Sequence, residues 1–354
     1  MGTPGKILVF HTAFIGDIIL ALPLVQVLRN RFSDAYIAFV AIPSVSGILE
    51  NHPGISEVIV YDKRGTNAGL GGILRMVDRL RSEKFDVALI PHRSIRSAGI
   101  GFLARIPVRI GFSTSAGRIL LTDKVPYQKE NHEITRNLSL LKPLGIQADD
   151  DVLPSLYPGE ADRDIVHELL RKHLVSRSAV KQNGIVAIAP GSIWNTKRWL
   201  KEHFIRLGKL LTDKGFSIVL VGGKEDDKLC REIDQLIGNR RVLNAAGRLT
   251  PLQSAELIRR CNVVVSNDSA PMHMAQAVRT PVVAIFGATV PQFGFAPRGE
   301  YDQVVETLGL PCRPCSIHGG ERCPITTFVC MTNITPESVF ERVRSIISRI
   351  SVEA

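Results

Sequence analysis

The sequence predicts an α/β protein built from two doubly wound parallel-sheet domains. Three observations carry that expectation. A length of 354 residues suits two domains at roughly 100–200 residues each. Ten short Val/Ile-rich runs alternate with helical patterns, and the alternation is interrupted once, near the middle of the chain. Apolar residues at 45% and charged residues at 22% are ordinary for a globular protein, which excludes collagen-like, low-complexity and disordered classes.

The first set of strand-like runs covers 6–10, 36–42, 57–61, 86–91 and 108–112, and the second 185–189, 216–221, 262–266, 281–286 and 303–306. Strands of a parallel sheet are covered by helices on both faces, so they read as continuous apolar runs and not as alternation. Each half opens with a strand, a loop and an amphipathic helix: 7–10 leads into 18–31, and 185–189 into 203–212. Gly69, Gly71 and Gly72 read as a loop after Arg64. Asp149, Asp150, Asp151, Pro154 and Pro158 break both periodicities, which puts the domains at 1–155 and 156–354. Near the end, Thr335-Pro336-Glu337 offers a capping hydroxyl, a proline at the first helical position and a carboxylate in the first turn.

No window approaches the roughly 18 uninterrupted apolar residues of a membrane span, because Asp17 and Gln26 break the best segment, 15–28. The amino terminus lacks a basic region followed by an apolar core, so the expected location is the cytoplasm. Lys and Arg number 44 against 34 Asp and Glu, a net charge of +10 that suits an anionic partner: a phosphorylated ligand, nucleic acid or an acidic membrane face. Residues 87–122 hold no Asp or Glu but contain Arg93, Arg96, Arg105, Arg109 and Arg118. A local positive field and a solvated surface both fit this stretch.

The common phosphate cradles are missing: no strand leads into Gly-x-Gly-x-x-Gly, and no Gly-x-x-x-x-Gly-Lys-[Ser/Thr] occurs. Nicotinamide dehydrogenases and Walker-type ATPases are thereby disfavoured. The strongest local signal is Ser266-Asn-Asp-Ser-Ala-Pro-Met-His273 after an apolar strand, where a helix start would present unpaired amides to an anion. Asp268 reads equally as that helix's cap, and His273 as a core histidine. A second signal is Ala189-Pro-Gly-Ser192 followed by Thr196-Lys-Arg-Trp199. Gly191 allows close backbone approach, Ser192 and Thr196 supply hydroxyls and Lys197 an ammonium, while Trp199 reads as a packing residue. The third is Phe14-Ile-Gly-Asp-Ile18, where Asp17 starts a helix and serves either its dipole or, at the mouth of a cleft, as a general base.

Taken in order, Phe14-Ile-Gly-Asp-Ile-Ile-Leu-Ala-Leu-Pro23, Ala189-Pro-Gly-Ser192 with Thr196-Lys-Arg-Trp199, Val221-Gly-Gly223 with Glu225, and Ser266 to His273 resemble glycosyltransferase family 9. These are the ADP-heptose:lipopolysaccharide heptosyltransferases, and the likeness is greater to the type II enzymes; it runs from about residue 6 to 348. It implies the GT-B architecture, two facing Rossmann-like domains with a cleft between them. It also implies metal-independent, inverting transfer of heptose from ADP-heptose to the phosphorylated inner core of lipopolysaccharide, with no cofactor.

By that resemblance Asp17 deprotonates the acceptor hydroxyl, and Lys197 holds the donor pyrophosphate with Ser192 and Thr196. The amides around Ser269 and Ala270 neutralise the departing ADP. Asp268 binds heptose hydroxyls, His273 supports the phosphate side, Glu225 reaches the adenosine ribose and Leu249 lines the adenine pocket. Arg93 and Arg96, just past the 86–91 run, are expected to bind the anionic acceptor. Ala270 stands where the family more commonly has glycine, which would cost strain if that position needs a positive φ. The expected site is the cytoplasmic face of the inner membrane, with peripheral membrane contact.

Cys312, Cys315, Cys323 and Cys330 crowd together beside His318. Their spacing suits zinc, although the second pair is wider than a zinc ribbon's; reduced thiols in a family-typical loop and a structural metal are both open, and no metal is assigned to the site. Cys230 and Cys261 read as small core residues. Two rival functions remain: a sugar-nucleotide epimerase or hydrolase on the same fold, and a non-catalytic nucleotide- or nucleic-acid-binding protein. The second lacks support, because only 6% of residues are aromatic and no RNA-binding signature appears, so no nucleic-acid partner is expected.

Overall fold

The computed structural model describes residues 3–173 and 183–353. The chain divides into two compact units, Met1–Tyr157 and Pro158–Ala354. Unit 1 holds strands β1 (Lys6–Phe10), β2 (Tyr36–Ala41), β3 (Glu57–Val60), β4 (Val87–Ile90), β5 (Val108–Phe112) and β6 (Asp123–Val125). Unit 2 holds β7 (Ile185–Ala189), β8 (Ser217–Leu220), β9 (Val242–Asn244), β10 (Val263–Asn267), β11 (Val282–Phe286) and β12 (Gln303–Glu306). All pairings are parallel, in the orders β3-β2-β1-β4-β5-β6 and β12-β11-β10-β7-β8-β9. The α/β, doubly wound fold class is therefore as expected.

Both units have the Rossmann strand order, in which the first strand of each sheet lies between the second and the fourth. Successive connections leave β1 and β4, or β7 and β10, on opposite sides of the sheet, so the loops past these strand ends diverge and open a crevice. Ligands of such sheets bind there.

Two strands go beyond the sequence reading. β6 and β9 are three residues each, too short for periodicity to register, and Asp123-Lys124 supplies no apolar pattern. A second correction concerns Gly69, Gly71 and Gly72, which open a helix, Gly69–Glu83, in place of the expected loop. Gly72 is there for space: a Cβ on it would lie 2.0 Å from the Asn67 carbonyl oxygen.

The central strands are buried almost completely, and each unit has its own core. In unit 1 Leu8, Phe10, Val40, Tyr61 and Leu80 cluster with Ile90 and Ile100. In unit 2 Ile188, Trp199, Phe204, Ile218 and Val265 pack with Val339 and Val343 of the last helix, Pro336–Glu353. Trp199 belongs to that core, with its indole nitrogen donating to the Ile334 carbonyl at 2.9 Å, so it packs as expected. The last helix starts where its sequence signals place it: Thr335 Oγ1 accepts from the Ser338 amide at 3.2 Å. Among the described residues no helix is long and apolar enough to cross a membrane.

Candidate functional site

In unit 2 the site is built where β7 and β10 end. After β7 the chain passes through Pro190, Gly191 and Ser192 into a 3-10 turn, Asn195–Lys197. Lys197 Nζ lies 2.6 Å from Asp268 Oδ2, one residue past β10, and both side chains are largely buried. Thr289, past β11, donates to the same oxygen at 2.7 Å. Asp268 is thus committed to Lys197 and Thr289 and does not cap the following helix, Ala270–Ala277, whose N-cap is Ser269. That helix starts with Pro271 near its head and its first amides unused by a side-chain cap, which leaves donors for an anion.

Ala270 is the first residue of this helix and is not among the residues with positive φ. The strain that a missing glycine would have caused does not arise. His273, one turn on, is buried, as is Thr196. Thr196 is turned toward the chain: its hydroxyl accepts from the Gly320 amide at 2.7 Å and its own amide donates to the Gly320 carbonyl at 3.0 Å. Ser192 is half-buried, and its carbonyl accepts from Arg198 Nε at 2.7 Å.

Glu225 and Leu249 sit past β8 and β9, one and two strands from β7. Glu225 is exposed on a 3-10 turn, Lys224–Asp226, and Leu249 is half-buried. Beside Glu225, Asp226 accepts from the Gly223 amide at 3.0 Å, and a Cβ on Gly191 would meet its carboxylate at 2.1 Å. Burial is the largest influence on Asp226 and raises its pKa, with the Gly223 hydrogen bond and the Arg198 charge opposing.

Asn267 belongs to the Ser266–His273 motif, where the sequence reading gave it no role of its own. Fully buried, it accepts from the Trp199 amide at 2.9 Å and donates to the Pro190 carbonyl at 2.9 Å. It thereby pins both ends of the loop that carries Ser192, Thr196 and Lys197. The signal that could have found it is a polar amide closing an otherwise apolar strand, which must find partners when buried.

In unit 1 the corresponding strand ends are those of β1 and β4. His11 and Thr12 follow β1, His92 and Arg93 follow β4, and Asp17 lies half-buried in the first turn of the helix Ile15–Arg31. Thr12 Oγ1 and His92 Nδ1 are 3.1 Å apart, and Lys63 Nζ, from beyond β3, donates to the Thr12 carbonyl at 2.8 Å. The His11 and His92 rings lie 6.0 Å apart. His11 is buried, and desolvation followed by the neighbouring His92 lowers its pKa to about 3, a hydrogen bond to the Asp17 backbone opposing and Lys63 adding to the fall. His92 is lowered to about 4 by burial, then by Lys63 and Arg93. Both rings are therefore neutral at pH 7, with the positive charges of Lys63 and Arg93 close to His92.

The two expected arginines are exposed and differ in setting. Arg93 stacks over the Tyr127 ring at 4.3 Å, while Arg96 lies in the first turn of the helix Ile95–Leu103. Arg109, from the same acid-free stretch, is structural: Nε donates to the Leu120 carbonyl at 2.7 Å and its guanidinium lies over Phe102. Lys63, His11 and His92 were not legible as site residues, since they come from three separate strand ends and no local motif joins them.

Comparison with known proteins agrees with this architecture. The sequence profile of glycosyltransferase family 9 (heptosyltransferase) matches residues 73–320. The lipooligosaccharide heptosyltransferase 2 of Haemophilus influenzae is 26% identical, over 97% of this chain and 100% of its own length. The lipopolysaccharide heptosyltransferase 2 of Escherichia coli K12 is 29% identical, over 81% of this chain and 84% of its own. Among solved structures, the E. coli ADP-heptose lipopolysaccharide heptosyltransferase II superposes with a TM-score of 0.79 at 25% identity, covering 99% of this chain and 100% of that one. The resemblance read from the four motifs and the GT-B fold class are both borne out. With its profile match spanning well over half of its length, the chain belongs to glycosyltransferase family 9, the heptosyltransferases, and is a glycosyltransferase.

Proposed function

We propose that this protein transfers heptose from ADP-heptose to the phosphorylated inner core of lipopolysaccharide, with inversion at the anomeric carbon and Asp17 as the general base. The observation that carries the reading is the near full-length similarity to heptosyltransferases of the second type in several bacteria. Unit 2 is the donor unit: Lys197, Ser192 and Thr196 attend the pyrophosphate, and the amides at Ser269 and Ala270 receive the negative charge that develops on ADP. Asp268 binds heptose hydroxyls, His273 supports the phosphates, Glu225 reaches the ribose and Leu249 covers the adenine.

Unit 1 is the acceptor unit. Asp17, beside neutral His11, takes the proton of the attacking hydroxyl, and positive charge on Lys63, Arg93 and Arg96 attracts the acceptor's phosphates and carboxylates. The reaction takes place at the cytoplasmic face of the inner membrane, which the protein touches peripherally. The domain limits of the two roles are 1–155 and 156–354.

The test is a transfer assay with ADP-heptose and lipopolysaccharide truncated after its first heptose. The expected product is the acceptor enlarged by one heptose, with ADP released in equal amount. Release of free heptose, or an isomerised donor, from ADP-heptose without acceptor would favour the hydrolase or epimerase alternative and sink this reading.

A further inference from the structure

The stretch 87–122, which holds no Asp or Glu, carries more positive charge than the acceptor contacts use. Arg93 and Arg96 are assigned to the acceptor and Arg109 to the fold. Arg105 and Arg118 are exposed and form no ion pair among the described residues. On the neighbouring helix Gly69–Glu83, by contrast, Arg79 and Arg81 are met by Glu57 at 2.5 Å and Asp78 at 3.5 Å.

The helix of this stretch, Ile95–Leu103, is packed inside out. Its small residues Ser97, Ala98 and Gly101 are buried with Ile100, while Ile95, Phe102 and Leu103 are 60, 48 and 45% exposed. Together with Gly99 these three stand at i, i+4, i+7 and i+8, the spacing of one helix face, and on a surface helix the outward face is ordinarily the polar one. The 3-10 turn Arg118–Leu120 extends that face. It is seated on the helix, since a Cβ on Gly117 would lie 2.5 Å from the Ala98 Cβ and one on Gly99 3.9 Å from Leu120 Cδ1, and its Ile119 is 80% exposed. Neighbouring apolar side chains left in water mark a surface of interaction.

We propose that the face formed by Ile95, Phe102, Leu103 and Ile119, with Arg105 and Arg118 beside it, docks unit 1 on an anionic phospholipid surface. The inference rests on the reading above, in which the protein touches the inner membrane, and names the side chains that make the contact. Charge decides the occupant. Acidic headgroups complement a stretch whose only charged side chains are basic, and the long arginine stems let the guanidinium groups stay among the headgroups while the apolar side chains enter the acyl boundary. A second copy docked through the same face by a two-fold axis would set these arginines against one another, with no carboxylate of the stretch to offset them.

The test is co-sedimentation of the full chain with vesicles of phosphatidylcholine alone and of phosphatidylcholine with about one third phosphatidylglycerol. Wild type should bind the anionic vesicles, and both Arg105→Gln/Arg118→Gln and Ile95→Ser/Ile119→Ser should weaken that binding by roughly ten-fold or more. All four positions are exposed, so the variants should fold; Leu236→Ser/Arg240→Gln, at an exposed apolar and an exposed basic residue of unit 2, should bind as wild type does. Ile119→Trp should add an indole whose emission shifts to shorter wavelength on the anionic vesicles. Failure of wild type to bind them overturns the proposal, as does undiminished binding by either folded double variant or an unshifted Ile119→Trp emission. A dimer in sedimentation velocity without vesicles, abolished by Ile95→Ser/Ile119→Ser, would give the face to a second copy and overturn it as well. Transfer to a deacylated, soluble acceptor, which Ile95→Ser/Ile119→Ser should leave unchanged, separates this inference from the reading beneath it. Transfer without vesicle binding sinks the docking face alone, and vesicle binding without transfer sinks the reading alone.

Discussion

Lys197 Nζ and Asp268 Oδ2, 2.6 Å apart, join the turn after β7 to the end of β10. The pair does two things at once. It fixes the loop on which the proposed pyrophosphate contacts lie, and it keeps the lysine charge compensated in a largely buried place until a phosphate arrives. Removing one partner of a buried pair typically costs about 3–5 kcal/mol, because the other charge is left alone. Lys197→Ala should therefore lower the melting temperature and weaken ADP binding by roughly ten-fold or more, the scale of a lost charge-assisted contact. Lys197→Met combined with Asp268→Leu removes both charges and should recover much of the stability without recovering ADP affinity. Calorimetric titration of ADP against both variants checks this; undiminished affinity in either would make Lys197 a purely structural residue.

Asp17→Asn keeps the size of the side chain and removes the base. General-base assistance is worth about 10²–10⁴ in rate, so turnover should fall by that order. ADP affinity should change little, since Asp17 belongs to unit 1 and the proposed donor contacts belong to unit 2. Near-normal turnover in a steady-state transfer assay would remove Asp17 from the mechanism.

How far the sequence reaches is clearest in a comparison of Lys197 with Lys63. Lys197 could be singled out because it follows a strand within a short motif, and Ser192, Thr196 and Asp268 come with it for the same local reason. The pairing of the two was not legible, since nothing in a linear motif says that Asp268 turns toward the loop after the neighbouring strand β7 and not onto its own helix. Lys63 carries no local signal at all. Only the strand order brings it to Thr12 and His92, and that order depends on crossovers which the alternation of strand and helix leaves open. The same limit explains β6 and β9: three-residue strands are held in place by the neighbour they pair with, not by their own pattern.

Stability should depend on pH through three histidines. His11, His52 and His92 have pKa values lowered to about 3, 4 and 4, each by burial first, against an ordinary value of 6.5. Below pH 6.5 the unfolded chain takes up protons that the folded chain refuses, so unfolding becomes easier as pH falls toward 4. Each such histidine contributes up to about 1.4 kcal/mol per pH unit in that window. Urea melts between pH 7 and 5 should show stability falling, and His52→Phe should make the fall shallower. A slope unchanged by that substitution would mean that His52 titrates normally in the folded chain.

The acceptor side rests on Arg93 and Arg96, and the structure separates them. Arg93 is braced by the face of Tyr127, whereas Arg96 stands exposed on a helix start. Replacing both with Gln preserves length and polarity and deletes two charges. The acceptor KM should then rise, and its dependence on salt should weaken, because screening acts on the attraction that has been removed. ADP affinity should hold, since neither arginine lies in the unit proposed to bind the donor. Tyr127→Leu leaves both charges in place but loosens Arg93, so it should raise the acceptor KM less than the double variant and leave the salt dependence intact. Steady-state kinetics at low and high ionic strength distinguish these cases. An acceptor KM that does not move in the double variant would leave both arginines as solvated charges and shift acceptor recognition to Lys63.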